Sequence, residues 1–122
     1  LFESNIINEC KNLGVEIHAR SIFLQGLFFL SDNQIKKKFN DAFIVIQKLK
    51  KIGKKLDLTL PELSLLWVNS LNFIDKIVIG VDSLTQLKIN IDSLENKKLN
   101  NLADEILDIS YLNENILNPQ RW

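Results

Sequence analysis

The sequence predicts a helix-rich α/β architecture with two short strands of the parallel type. Three observations carry this reading. Most apolar residues recur at helical spacing, two short segments read as strands instead, and helices separate those two strands in the chain. Strands joined through helices pair in parallel by crossover connections. Two strands make no complete sheet and leave two open edges, so the chain is expected to be part of a barrel or of a doubly wound sheet.

The elements follow in order. Phe2, Ile6, Cys10 and Leu13 mark a first helix, with Gly14 where a C-cap belongs. Val15 to Ser21 alternates strictly, with Val15, Ile17 and Ala19 on one face and Glu16, His18 and Arg20 on the other. Either a strand between water and core or a barrel strand with a polar inner side would show this pattern. Ser21 to Leu30 is apolar and contains Gln25-Gly26, a loop leaving the strand end. Ile35, Phe39, Ala42, Phe43, Ile46 and Leu49 predict one long helix ending near Gly53. Thr59 and Glu62 have capping-box spacing, with Pro61 tolerated in the first turn of a third helix that buries Leu63, Leu66, Trp67 and Leu71. Ile77-Val78-Ile79 reads as a strand covered on both faces. Gly80 follows, able to bring backbone close to a ligand or to adopt a positive φ. Ser83 and Gln86 repeat the capping-box spacing and open a helix from Leu84 to about Leu94. Leu99, Leu102, Ala103, Ile106 and Leu107 predict a last helix, followed by the irregular tail Ile116 to Trp122.

Composition bounds the function. The 122 residues suffice for one domain, and 46% hydrophobic with 25% charged residues describes a globular chain. Formal net charge is zero, so no overall field draws it to nucleic acid or to an anionic membrane. The lone cysteine, Cys10, excludes an internal disulfide framework and sits among apolar helix positions as a buried thiol. No apolar run approaches the roughly 20 residues of a membrane span, and no secretory signal pattern occurs, so a soluble cytoplasmic protein is expected. The chain contains no methionine, which a piece of a longer protein would explain.

The residues assemble no catalyst of their own. His18, the only histidine, lacks partners at metal-ligand spacing and shares its face with Glu16 and Arg20, as a polar or ion-paired side chain does. No nucleophile elbow, zincin, phosphate-loop or dinucleotide fingerprint is present, and Tyr111 has no basic partner close in sequence. The lysines at 36–38 lie on the solvent side of an amphipathic helix. Those at 48, 50, 51, 54 and 55 gather toward its C-terminus, where the dipole favours cations. Without interleaved aromatics they read as solvated helix rather than as a nucleic-acid face. The strand–turn–helix around Gly80 can be an ordinary joint, or a helix N-terminus open to an anion.

Two segments together resemble the aldo-keto reductase family. Ala19-Arg20-Ser21-Ile22-Phe23-Leu24-Gln25-Gly26-Leu27 resembles its seventh-strand segment, written A-Y-S-P-L-x-x-G-L, and Val78 to Asn90 is similar to its eighth-strand segment, I-P-G-x-[RK]-x-x-x-Q-L-x-x-N. The intervening length, Leu65-Leu66-Trp67-Val68 and the ending Asn118-Pro119-Gln120-Arg121-Trp122 are similar too.

The resemblance implies the C-terminal portion of a (β/α)8 TIM barrel, a fold of about 250 residues, with residues 1–122 as one partial domain. It implies an NAD(P)-dependent oxidoreductase acting on a small carbonyl substrate, with the catalytic Asp, Tyr, Lys and His on earlier strands, and hence no catalytic residue here. It assigns cofactor contacts to Arg20, Ser21, Phe23 and Gln25 after the first strand. Gly80, Val81 and Ser83 fall at the turn near the adenosine phosphate, and Gln86 and Asn90 around that phosphate and the adenine. Arg20 stands where many members carry a stacking Tyr. Asp82 stands where many carry the cation for the 2′-phosphate of NADP, and a carboxylate there would repel that phosphate and accept from a ribose hydroxyl instead. Neither a metal nor a nucleic acid is implied. The alternative class is a non-catalytic α/β interaction module that uses no nucleotide. With two open strand edges, the chain alone is expected either to self-associate or to derive from a longer protein.

Overall fold

The two strands pair in parallel. In the computed structural model, which describes residues 5–97 together with Leu99, Ile106, Ile109 and Asn118, β1 (His18–Arg20) lies beside β2 (Lys76–Val78). His18 is opposite Lys76, Ala19 opposite Ile77 and Arg20 opposite Val78. The other described elements are α1 (Asn5–Asn12), a 3-10 segment (Leu24–Phe29), α2 (Asp32–Lys38), α3 (Asn40–Lys55), α4 (Leu60–Asn69) and α5 (Leu84–Asn96). Phe2, the helix expected over Leu99 to Leu107, Tyr111 and the tail fall outside the described residues, apart from the single positions named above. Of these, Leu99, Ile106 and Ile109 rest against the core.

Gly14 caps α1 as the sequence predicts. Its φ of +71° lets its N–H donate to Lys11 O at 3.0 Å and the Val15 N–H to Cys10 O at 2.9 Å, a Schellman closure. The chain then turns into β1. Glu16, His18 and Arg20 are exposed and Ile17 and Ala19 half-buried, so the alternation holds, although Val15 is exposed. Asp75 ties this entry together: its carboxylate accepts from Ile17 N–H and from Lys11 Nζ, each at 2.7 Å. The Ile17 N–H first, then Lys11, hold its carboxyl below the usual range. Cys10 is half-buried rather than enclosed.

β2 departs from expectation. Val78 is 55% exposed and Ile77 and Ile79 half-buried, so this strand is not covered on both faces. The pleat alternates, so Lys76 and Val78 are exposed while Ile77 between them is half-buried.

The helix expected from Ile35 to Gly53 is two helices. Ser31 accepts from Gln34 N–H while Gln34 Oε1 accepts from Ser31 N–H at 2.9 Å, a capping box that starts α2. Phe39, at φ −137° and ψ 49°, breaks the helix between α2 and α3. Ile35 and Ala42 still fall on one buried side, which is why the apolar period runs through the break. α3 also passes Gly53 and ends at Lys55; Gly53 instead accepts from Leu56 and Leu58 N–H, each at 2.9 Å, in the turn toward α4.

The core lies between the 3-10 segment, α2, α3 and α4, and contains Leu27, Ile35, Ala42, Ile46, Ile52, Leu58, Leu60, Leu63 and Leu66. Each buried Leu or Ile contributes about 2 kcal/mol relative to exposure. Trp67 and Leu71 are half-buried rather than enclosed. α4 packs against α3, α5 and the 3-10 segment and is the central support of the described chain. Among the described residues no helix is long and apolar enough to cross a membrane.

Candidate functional site

Two helix N-termini border one cleft. Thr59 caps α4 in the expected box: its N–H and its hydroxyl donate to Glu62 Oε2 at 2.8 and 2.7 Å. Ser83 caps α5 by accepting from Gln86 N–H at 3.1 Å. The second half of this box differs from expectation, because Gln86 Oε1 accepts from the Asp82 N–H at 2.8 Å and not from Ser83. Between these ends opens a cleft of about 1030 Å³. α5 and the turn before it supply Asp82, Ser83, Gln86 and Asn90; Lys50 and Lys54 come from the end of α3, and Phe29 from the 3-10 segment.

Glu62 fixes the floor. It is buried, yet its Oε1 accepts from Lys97 Nζ at 2.8 Å and lies 3.0 Å from Ser93 Oγ on α5. Ser93 Oγ is also 2.8 Å from Ile89 O, and its one proton serves one acceptor at a time. Burial opposes ionisation of Glu62, but hydrogen bonds from Lys97, Thr59 and Ser93 outweigh it and lower its pKa to about 2. Glu62 raises the Lys97 pKa in return. One carboxylate thus joins the start of α4 to the far end of α5.

The residues singled out in the sequence divide into two groups. Ser83, Gln86 and Asn90 line the cleft together. Asn90 is 5% exposed and its Nδ2 has no hydrogen-bond partner among the described residues. Arg20, Ser21, Gln25, Gly80 and Val81 are not on the cleft lining: Arg20 and Ser21 are exposed at the end of β1, and Gly80 and Val81 in the turn after β2. Gly80 adopts no positive φ, so that expectation does not hold, and a Cβ there would meet open space. Phe23 is buried, edge-on to Phe29 with ring centroids 5.3 Å apart, and so backs a cleft residue without lining the cleft. Positive φ values at Ser21 (59°), Leu24 (45°) and Gln25 (52°) place three non-glycine residues in the left-handed region beside Gly26 at 87°. Each costs about 1 kcal/mol or more, a concentration of strain found at ligand-binding segments. Ser64 Oγ donates to Ile22 O at 2.7 Å and helps hold the segment there.

Other assignments are simpler. His18 Nε2 lies 3.0 Å from Glu16 Oε2, and Lys76 Nζ donates to the same oxygen at 2.9 Å. Among the described residues no three of His, Cys, Asp and Glu group as metal ligands. Lys36 to Lys38 are exposed, and Lys36 Nζ stands 4.6 Å from the centre of the Phe43 ring.

The family model described as aldo/keto reductase family matches residues 1–110, nearly the whole chain. The chain belongs to the aldo/keto reductase family. Among curated proteins none matches it. Membership makes this a chain of an oxidoreductase family whose fold is a (β/α)8 barrel and whose members generally use a nicotinamide cofactor and a carbonyl substrate. The aldo/keto reductase chain described here carries helices and two parallel strands consistent with that class. Sequence reasoning about it missed Glu62, Lys97, Lys50 and Phe29 as cleft residues. The capping box at Thr59 was the only signal near them, since contacts across 31 and 35 residues leave no local pattern.

Proposed function

We propose that this chain is the C-terminal, cofactor-binding part of an NAD(P)-dependent aldo/keto reductase that interconverts a small carbonyl compound and its alcohol. The observation that carries the proposal is the Asn90 amide: a buried donor without a partner among the described residues, on a residue that lines the cleft with Ser83 and Gln86. A buried unsatisfied N–H costs about 1–3 kcal/mol and is explained by an acceptor that arrives with a ligand. Adenine offers ring nitrogens for it. Phe29 gives the cleft an apolar wall, and the strained turn after β1 brings Ser21 and Gln25 to the carboxyl end of the strand pair, where barrel sites form. In this reading Gly80, Val81, Ser83, Gln86 and Asn90 hold the adenosine end, while Arg20, Ser21, Phe23 and Gln25 shape the path toward the nicotinamide. The bound nicotinamide supplies the hydride. The chain's own part is to bind and orient the dinucleotide.

The Asp, Tyr, Lys and His that move the proton belong, in this proposal, to earlier strands of a barrel of which residues 1–122 form the C-terminal domain portion. The chain by itself then turns over nothing, and the full-length protein works in the cytoplasm. Following NAD(P)H absorbance at 340 nm with a panel of aldehydes and ketones tests this: the full-length protein consumes the dinucleotide and residues 1–122 alone do not. Turnover by the isolated chain, or none by the full-length protein with either dinucleotide, contradicts it.

A further inference from the structure

Resting on the reading of Asn90 as a ligand donor, we propose that Glu62 is a positioning residue: acting through Ser93, it fixes the rotation of α5 that keeps Asn90 on the cleft. The burial of α5 is the first observation. Its enclosed residues are Asn90 and Ser93, both polar, whereas Leu84, Leu87, Ile89, Ile91 and Leu94 are exposed. Apolar packing is non-directional, and among the described residues it encloses no apolar side chain of this helix. Directional bonds therefore set how α5 is turned.

The second observation is where those bonds fall. Asn90, Ser93 and Lys97 follow one another at three and four positions, along one side of the helix and past its end. Glu62 Oε1 lies 3.0 Å from Ser93 Oγ and accepts from Lys97 Nζ at 2.8 Å, so α4 grips α5 at both. Glu62 is itself held, because its Oε2 accepts from the Thr59 N–H and hydroxyl at 2.8 and 2.7 Å. Ser93 is fully enclosed, and its proton has two acceptors in reach, Glu62 Oε1 and Ile89 O. The charged acceptor makes the stronger bond, so the proton crosses to α4. Asn90 stands one turn before this tether, and its Nδ2 has no partner among the described residues to hold it. Its place on the cleft is taken from Ser93.

A double-mutant cycle on the full-length protein, with 5′-AMP affinity read by calorimetry, tests the inference. Ser93→Ala is expected to weaken 5′-AMP binding about fivefold, as the loss of one hydrogen bond predicts, although Ser93 is not on the cleft lining. In an Asn90→Leu background the same substitution should change nothing further, because its effect passes through Asn90. Ser93→Cys keeps the buried volume but donates only weakly, and should behave as Ser93→Ala does. Melting curves that show each variant folded at the assay temperature keep the comparison on native protein. An equal loss in both backgrounds, no loss with Asn90 present, or full affinity in Ser93→Cys overturns the proposal while leaving the ligand site in place. Unchanged affinity in Asn90→Leu alone, or no binding of 5′-AMP by wild type, overturns the site itself, and the inference with it.

Discussion

Asn90 and Glu62 are both buried polar residues facing one cleft, and their hydrogen bonding sets them apart. Glu62 has every oxygen engaged, whereas the Asn90 amide nitrogen has no partner among the described residues. Replacing Asn90 by Leu removes an unsatisfied donor at similar volume. The ligand-free protein should therefore melt at the same or a higher temperature, while its affinity for 5′-AMP in calorimetry falls about tenfold. Unchanged 5′-AMP affinity in this variant would mean that Asn90 does not serve the ligand. Glu62 predicts the opposite pattern. Its folded pKa of about 2 lies below the ordinary 4.5, so its stabilising contribution is fully present above pH 4.5 and is lost as pH falls toward about 2. Glu62→Gln should cost on the order of 3 kcal/mol at neutral pH, and the gap to wild type should close as urea unfolding is repeated below pH 4.5. The Asn90 position was named only through the resemblance, whose eighth-strand pattern ends Q-L-x-x-N. The role of Glu62 was legible only as a cap, because Ser93 and Lys97 reach it through the fold.

At the scale of elements, local rules placed what local chemistry controls. The caps at Gly14, Thr59 and Ser83 and the start of α5 all follow from residues a few positions apart. The break at Phe39 does not, since the Ile35–Ala42 period continues across it and no side-chain cap marks the start of α3. The Gln86 reach to Asp82 is likewise set by the path of the turn and not by the S-x-x-Q pattern. Gly53 gives the clearest test of an element joint. A Cβ there would stand 2.7 Å from the Leu58 carbonyl oxygen, in the turn that feeds α4. Gly53→Ala should destabilise the protein by about 1–3 kcal/mol in denaturant unfolding, since backbone must move to admit the methyl. Ser83→Ala should cost about 1 kcal/mol through the lost α5 cap.

For the whole molecule, the β1–β2 pair, which no third strand joins among the described residues, and the exposed Val78, Leu84, Leu87, Ile91 and Leu94 leave apolar surface beside the strands and along α5. Residues 1–122 alone should therefore self-associate with rising concentration in sedimentation; a monomer at every concentration would contradict the proposed partial barrel. The fold class was legible because helix-separated strands admit only crossover pairing. The cleft was not, because it lies between the ends of three helices that no sequence period relates. The proposal that this cleft takes the adenosine end of a nicotinamide dinucleotide is tested most directly by hydrogen–deuterium exchange of the full-length protein with and without NADH. The account predicts new protection concentrated at Asp82 to Asn90, with a smaller effect at the start of α4. Protection elsewhere, with the amides from Asp82 to Asn90 unchanged, would contradict it.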